Sequence, residues 1–400
     1  MTGGSNMTIS NYIPDDVIVD ILSKLPSRSV LKFKSVCKRW HSLISDPVFL
    51  KIHFNQPSRN PKLLFSIAGS QIQVLDYENQ LFNDSCLSGP LKFPGETCLK
   101  HAKVVGSSCG LVCVATNSWG NTFSIWNPLT GVCRKIPRLS CQVSNKYYFH
   151  GLGYDSVNND LKLVISMDRR ITCNLFSLKA NSWKTIPCPL AMKYYHPGPV
   201  PEPLYAILPW NSLATVLKGI FHWLVVANLN NECEIVAFDS AKETFQKLKL
   251  PVNAPLKSSV VSLFEHRESL CVSFSKTESC HVKDIWMMKE CGSWAHFLTV
   301  KNSPLVDCFR LPVLCISPRN EVVYHSDRQF SRCGREEEGK LDEISIQQCV
   351  YGAVLYVETL MSPYDINPEV GLQLSIKRKR EGADPTQKSR NRVVSPSLRM

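Results

Sequence analysis

Several features are missing from this 400-residue sequence. No apolar run approaches the roughly 20 residues needed to span a bilayer as a helix, and residues 1–12 lack the basic-then-apolar layout of a secretory leader. The chain is therefore expected in the nucleus or the cytoplasm, with no membrane partner. There is no C-x-x-C pair, and the tightest cysteine spacing, Cys109 to Cys113, leaves three residues between, so zinc-ribbon geometry is absent. The cysteines number 17, an odd count. In a reducing compartment they read as small core residues rather than a disulfide framework. P-loop, H-E-x-x-H and G-x-G-x-x-G patterns are also missing, so the sequence points to no catalytic residue, no metal and no cofactor.

Charged residues make up 20% of the chain and hydrophobic ones 44%, which excludes a mostly disordered polymer or a simple coiled coil. The formal charge is +12, but residues 376–400 hold eight Lys and Arg against Glu381 and Asp384, a local +6. The body is only mildly basic, which argues against a nucleic-acid partner. Within that tail, which reads as disordered, Lys377, Arg378, Lys379 and Arg380 form a candidate nuclear import signal; a solvated basic cluster is the plain alternative.

Four hundred residues exceed what one core supports, so either two units or a small module plus a larger repeat array is expected. The N-terminal fifty residues read as three short helices. Pro14 stands where a first helical turn tolerates proline, Asp15 and Asp16 face the positive end of the helix dipole, and Val17, Ile18, Ile21, Leu22 and Leu25 form an apolar stripe that Pro26 ends. Ser27 caps a second helix with Val30, Leu31 and Phe33, and a third runs from about Ser35 to Ile44 and is closed by Asp46-Pro47. Three helices cannot bury so many large apolar side chains among themselves. The surplus face has two possible covers, partner helices or the rest of this chain.

The run Ile13-Pro14-Asp15-Asp16, Ile21-Leu22-Ser23-Lys24-Leu25-Pro26 and Ser29 through Val36-Cys37-Lys38-Arg39-Trp40 to Leu50 resembles an F-box nearly position for position. The resemblance implies binding to the Skp-type adaptor of an SCF ubiquitin ligase and, through it, to cullin. It assigns adaptor contact or its support to Ile13, Pro14, Ile21, Leu22, Leu25, Pro26, Leu31, Val36, Cys37 and Trp40. Ile13 replaces the usual Leu and Asp20 the usual Glu, both mild departures.

Past a polar linker at 53–61, short apolar runs alternate with Gly, Asn, Asp, Ser and Pro every 8–12 residues, an all-β rhythm. One phrase recurs, Ile125-Trp126-Asn127-Pro128 through Pro137 and Leu175-Phe176 through Trp183 to Pro187, with further copies anchored on Phe238 and Trp286; the anchors are 50, 62 and 48 residues apart. Such a period marks propeller blades, about six of them over 62–375. The phrase is then each blade's outer hairpin, with its aromatics between adjacent sheets, and one whole blade is expected between 151 and 187. The fold class expected is thus a three-helix F-box at 10–52 followed by an all-β propeller and a basic tail.

Gly106-Ser107-Ser108-Cys109-Gly110-Leu111, Trp126-Asn127-Pro128-Leu129-Thr130 and Gly151-Leu152-Gly153-Tyr154-Asp155 resemble the marks of the plant F-box-associated region. Cys109 stands where Asn is usual, which puts that turn's side-chain hydrogen bond in doubt. The resemblance implies a non-catalytic substrate receptor that contributes proximity while a separate enzyme carries the ubiquitin thioester. A propeller enzyme or carbohydrate-binding protein with a degenerate helical leader is the alternative. Target capture is expected on loops, where the Pro-rich surplus at 191–211 offers Tyr194, Tyr195 and Trp210 as contacts with an unknown target protein; packing against blade edges is the other reading of these aromatics.

Overall fold

The computed structural model describes residues 13–56, 61–67, 71–78, 84–94, 102–116, 121–140, 149–166, 172–188, 213–226, 233–251, 262–275, 282–290, 292–301, 311–326, 328–333, 341–347 and 349–364. Helices come first: α1 (Asp15–Ser23), α2 (Ser27–Phe33), α3 (Lys38–Ile44) and α4 (Pro47–Phe54). Three of these differ from the sequence reading. Ser27 does not cap α2 but is its first residue, with Pro26 at the N-cap and no side-chain cap hydrogen bond, and its hydroxyl bonds elsewhere. The third helix starts at Lys38, because Cys37 is extended and its sulfur accepts from the Trp40 backbone N–H as an N-cap. Asp46-Pro47 does more than close that helix, since Asp46 Oδ1 accepts from Val48 N at 2.8 Å and caps a fourth helix with Pro47 in its first turn. Proline suits that position, where its missing N–H costs no bond.

All remaining strands form six antiparallel sheets around a ring. The chain begins with β1 (Lys62–Ile67) and β2 (Gln71–Leu75), then fills four-stranded sheets: β3 (Lys103–Ser108), β4 (Leu111–Ala115), β5 (Phe123–Trp126) and β6 (Cys133–Lys135); β7 (Phe149–Asp155), β8 (Asp160–Ser166), β9 (Thr172–Ser177) and β10 (Ser182–Pro187). The next three are β11 (Thr215–Leu217), β12 (Ile220–Val226), β13 (Cys233–Asp239) and β14 (Thr244–Leu248); β15 (Ser262–His266), β16 (Ser269–Ser275), β17 (Val282–Glu290) and β18 (Ser293–Lys301); β19 (Val313–Ile316), β20 (Val322–Ser326), β21 (Gln329–Cys333) and β22 (Leu341–Ser345). Last comes β23 (Val350–Tyr356), which pairs with β1, so the C-terminal strand completes the N-terminal sheet and closes the ring. Radial repetition around a closed ring leaves only short, protected sheet edges.

The blade expected at 151–187 is β7 to β10, and the recurrent phrase is the outer hairpin of its blade in all four copies. Phe176 pairs with Trp183 and Phe238 with Phe245. The copy with one extra residue accommodates it through shifts in the β17/β18 register, so Trp294 opposes Met288 instead of Trp286. The core of the propeller is six clusters among the described residues, one at each blade-to-blade seam. Trp126, Phe176 and Phe238 are buried in these seams, as the sequence suggested. The outer-strand tryptophans also bond backward to the preceding blade: Trp183 Nε1 donates to Pro137 O at 2.7 Å and Trp294 Nε1 to Lys249 O at 2.9 Å. Cys113, Cys173, Cys271 and Cys315 lie in these seams, and burial pushes the Cys271 thiol up to about 12.

Close approach explains the glycines of two marker strings. A Cβ on Gly153 would come within 2.6 Å of the Phe221 ring on the next blade. Gly110 sits at φ +71 with Thr359 filling the space of a Cβ, and Cys109 before it is also left-handed, at φ 54. The cysteine therefore keeps the turn that asparagine usually makes; Ser108 Oγ donates to its sulfur at 3.8 Å and its carbonyl accepts from Thr359 Oγ1 at 3.0 Å.

Candidate adaptor-binding surface

The stripe on α1 is two faces. Ile18 and Leu22 point inward, into a core with Val30, Ile44, Phe49 and Leu50. Ile13, Val17 and Ile21, spaced by four, point outward; Ile21 is 52% exposed and its neighbour Leu22 only 1%. A period of 3.6 residues makes this split unavoidable when apolar residues stand next to each other on a helix. Val36, Val48 and Ile52 are exposed as well. Arg39 ties the two N-termini, its Nε donating to Asp15 Oδ1 at 2.6 Å and its Nη2 to the Ile13 carbonyl at 2.9 Å. The start of α3, beside Val36 and Cys37, is thereby held against the start of α1.

The other residues named from sequence hold this arrangement. Pro26 precedes α2 as its N-cap. The Leu25 carbonyl accepts from buried His53 of α4 at 2.9 Å. Leu25, Leu31 and Trp40 are partly buried against the helical core, and Trp40 meets Phe33 edge to face at 5.5 Å. Pro14 and Cys37 are exposed. Of the ten residues, Leu22 is the one in the interior, where it supports the surface without reaching it.

Of the two covers considered for the surplus face, the rest of this chain takes the inward side. Leu360, Leu129 and Met361 from the propeller side pack on the helical core, which accounts for the inward face. Ser27 Oγ donates to the Glu358 carbonyl at 2.7 Å, and Arg28 grips the Glu358 carboxylate through Nε and Nη2 at 2.7–3.0 Å. Burial raises the Glu358 carboxyl, but the Arg28 hydrogen bond and the Lys62 charge outweigh it and leave the group below the ordinary carboxylate range. Sequence reading missed this contact, because the residues are separated by over 300 positions and neither carries a motif.

The helices dock at one end of the ring. Inner strands run parallel around it: Gly106 abuts Leu152, Gly153 abuts Val216, and Gly352 abuts Val104. Glu358 follows the end of inner strand β23, so the helices lie where inner strands finish. At the opposite end, where inner strands begin, Ala214 N donates to the His150 carbonyl at 2.7 Å. Tyr194, Tyr195 and Trp210, and the basic group Lys377, Arg378, Lys379 and Arg380, lie outside the described residues.

Gly106-Ser107-Ser108-Cys109-Gly110 has the G-x-S-x-G letter spacing of a nucleophile elbow. Its setting is a strand-to-strand turn between β3 and β4, whereas an elbow requires a strand-to-helix turn. Among the described residues no three His, Cys, Asp or Glu come together as metal ligands, and no helix is long and apolar enough to cross a membrane.

Residues 11–56 match an F-box-like family model, and residues 92–362 match that of the F-box associated beta propeller domain. F-box protein CPR1 of Arabidopsis thaliana is 27% identical over 383 residues, covering 87% of this chain and 88% of its own length. An F-box/kelch-repeat protein of the same plant is 24% identical over 374 residues, covering 88% and 96% respectively. Among solved structures, TolB from Acinetobacter baumannii is similar at a TM-score of 0.44 and 10% identity, over 80% of this chain and 72% of its own. With an F-box match over the helices and a propeller match over more than half of its length, the chain belongs to the plant F-box proteins that carry an F-box-associated β-propeller.

Proposed function

We propose that this protein is the substrate-recognition subunit of an SCF-type ubiquitin ligase, binding the Skp-type adaptor through the outer face of α1 and the adjoining start of α3, and a target protein through the propeller. The observation that carries the reading is the pattern on α1: Ile13, Val17 and Ile21 exposed at four-residue spacing while Ile18 and Leu22 fill the core. Leaving such side chains in water forfeits roughly 1.5–3 kcal/mol apiece, and a preformed apolar helix face fits docking on partner helices. The role is that of a scaffold: it raises the effective concentration of a target lysine near the thioester that another enzyme carries. For the target we favour the end of the propeller away from the helices, with Tyr194, Tyr195 and Trp210 as contacts. We assign the protein to the nucleus and cytoplasm, with Lys377–Arg380 acting in import.

Titration of the full chain with purified Skp-type adaptor tests the reading. Replacing Ile13, Val17 and Ile21 together by Ser should abolish binding and leave the melting temperature within a few degrees. Normal affinity in the triple variant would overturn it.

A further inference from the structure

We propose that Glu358–Met361 is a positioning clamp that fixes the F-box in one orientation on the propeller, and that Glu358 and Asn127 are its positioning residues. The role in ubiquitin transfer rests on the receptor reading above; the clamp itself rests on geometry. The four residues alternate in direction. Glu358 turns to α2, its carbonyl taking the Ser27 hydroxyl and its carboxylate taking Arg28 and, at 3.4 Å, Lys62 of β1. Thr359 turns to the second blade, donating to the Cys109 carbonyl across the space that Gly110 leaves open. Leu360 turns back into the helical core, and Met361 packs against both that core and the seam of the second and third blades.

Asn127, fully buried, secures the segment from below. Its Nδ2 donates to the Thr359 carbonyl at 2.9 Å and the Met361 carbonyl at 2.7 Å, while its Oδ1 accepts from Leu129 and Thr130 and holds its own turn. The Asn of the Trp-Asn-Pro phrase, which pattern alone makes a turn residue, is thus a joint between modules. The same stretch that ends the closing strand β23 carries the helices, so ring closure and F-box placement share one set of contacts. A module joined only through the chain between α4 and β1 would sample many orientations, and effective concentration falls when the span between bound sites is not held. A fixed span keeps the target in reach of the transferred ubiquitin.

The test uses the full chain with spin labels introduced by non-cysteine chemistry at exposed Ser42 and Val157, and dipolar distance measurement. Native protein should give a single narrow distance. Asn127→Asp keeps the turn acceptor but faces two carbonyls with a carboxylate; it should broaden the distribution. Arg28→Glu and Glu358→Arg should each do the same, and the double exchange should restore the narrow distance, with melting temperatures as the stability control. A broad native distribution, or single variants as narrow as native, would overturn the clamp. Adaptor titration on the same samples separates the two ideas: a native chain with one narrow distance that fails to bind adaptor sinks the receptor reading and leaves the clamp standing.

Discussion

The helical module exposes six large apolar side chains, Ile13, Val17, Ile21, Val36, Val48 and Ile52, whereas the much larger propeller exposes three among its described residues, Val132, Val157 and Tyr364. The propeller can hide its apolar surface because every sheet has two neighbours and a closed ring has no end. Four short helices have one neighbour, the segment around Leu360, and cover one face with it. The difference teaches that the module, unlike the propeller, keeps a second apolar face that the described residues do not cover, the face that the proposed adaptor docking would use.

The sharpest break of this comparison is inside the ring. Phe238→Ala should cost about 3–5 kcal/mol, because the ring is fully buried between two blades; a denaturant melt with an unchanged midpoint would refute the seam as the source of stability. On α1 the adjacent pair offers the same contrast within one turn. Leu22→Ala should destabilise by about 2–5 kcal/mol and affect adaptor binding only through folding. Ile21→Ala should reverse the pattern, weakening adaptor binding by about 1–3 kcal/mol with stability changed by less than about 0.5 kcal/mol. Calorimetry on both variants, for folding and for adaptor binding, checks this; equal melting losses would mean that α1 has no outer face.

A pH scan probes buried histidines of the propeller. Burial holds His150 and His325 near 3, against 6.5 for the free side chain. Both stay neutral when folded but take up protons when unfolded, so their contribution is fully present above the unfolded value and is lost as pH falls from 6.5 toward 3. Between pH 6.5 and 5.5 each should remove about 1 kcal/mol. The melting temperature should drop over that interval in native protein and drop less in His325→Gln. The smallest effect is at the junction. Arg28 is well exposed although Glu358 is not, so Arg28→Ala should cost about 1 kcal/mol or less. A larger loss, measured by chemical denaturation, would show that the ion pair rather than Leu360 dominates the docking.

Much of this was legible in the residues. Proline at the start of α1, the four-residue stripe and the stop at Pro26 define a helix by local chemistry alone. The phrase from Trp126 to Pro137 and its copy from Phe176 to Pro187 announce paired strands at a repeating interval, because turn residues and alternating apolar positions act within a few residues of each other. The fourth helix was hidden in the double use of Asp46-Pro47, which can end one helix and begin the next.

The sequence by itself determined the two-part layout, the blade period and the apolar character of α1, since each follows from spacings along the chain. Only the tertiary structure decided which of Ile21 and Leu22 is covered, that β23 closes the ring on β1, and that Glu358 and Asn127 join the modules. Those outcomes depend on contacts between residues hundreds of positions apart, and no local pattern encodes which of several apolar faces finds its cover within the chain. Leu22 is buried in a core that Leu360 helps to complete; Ile21 is left exposed because none of the described residues covers it.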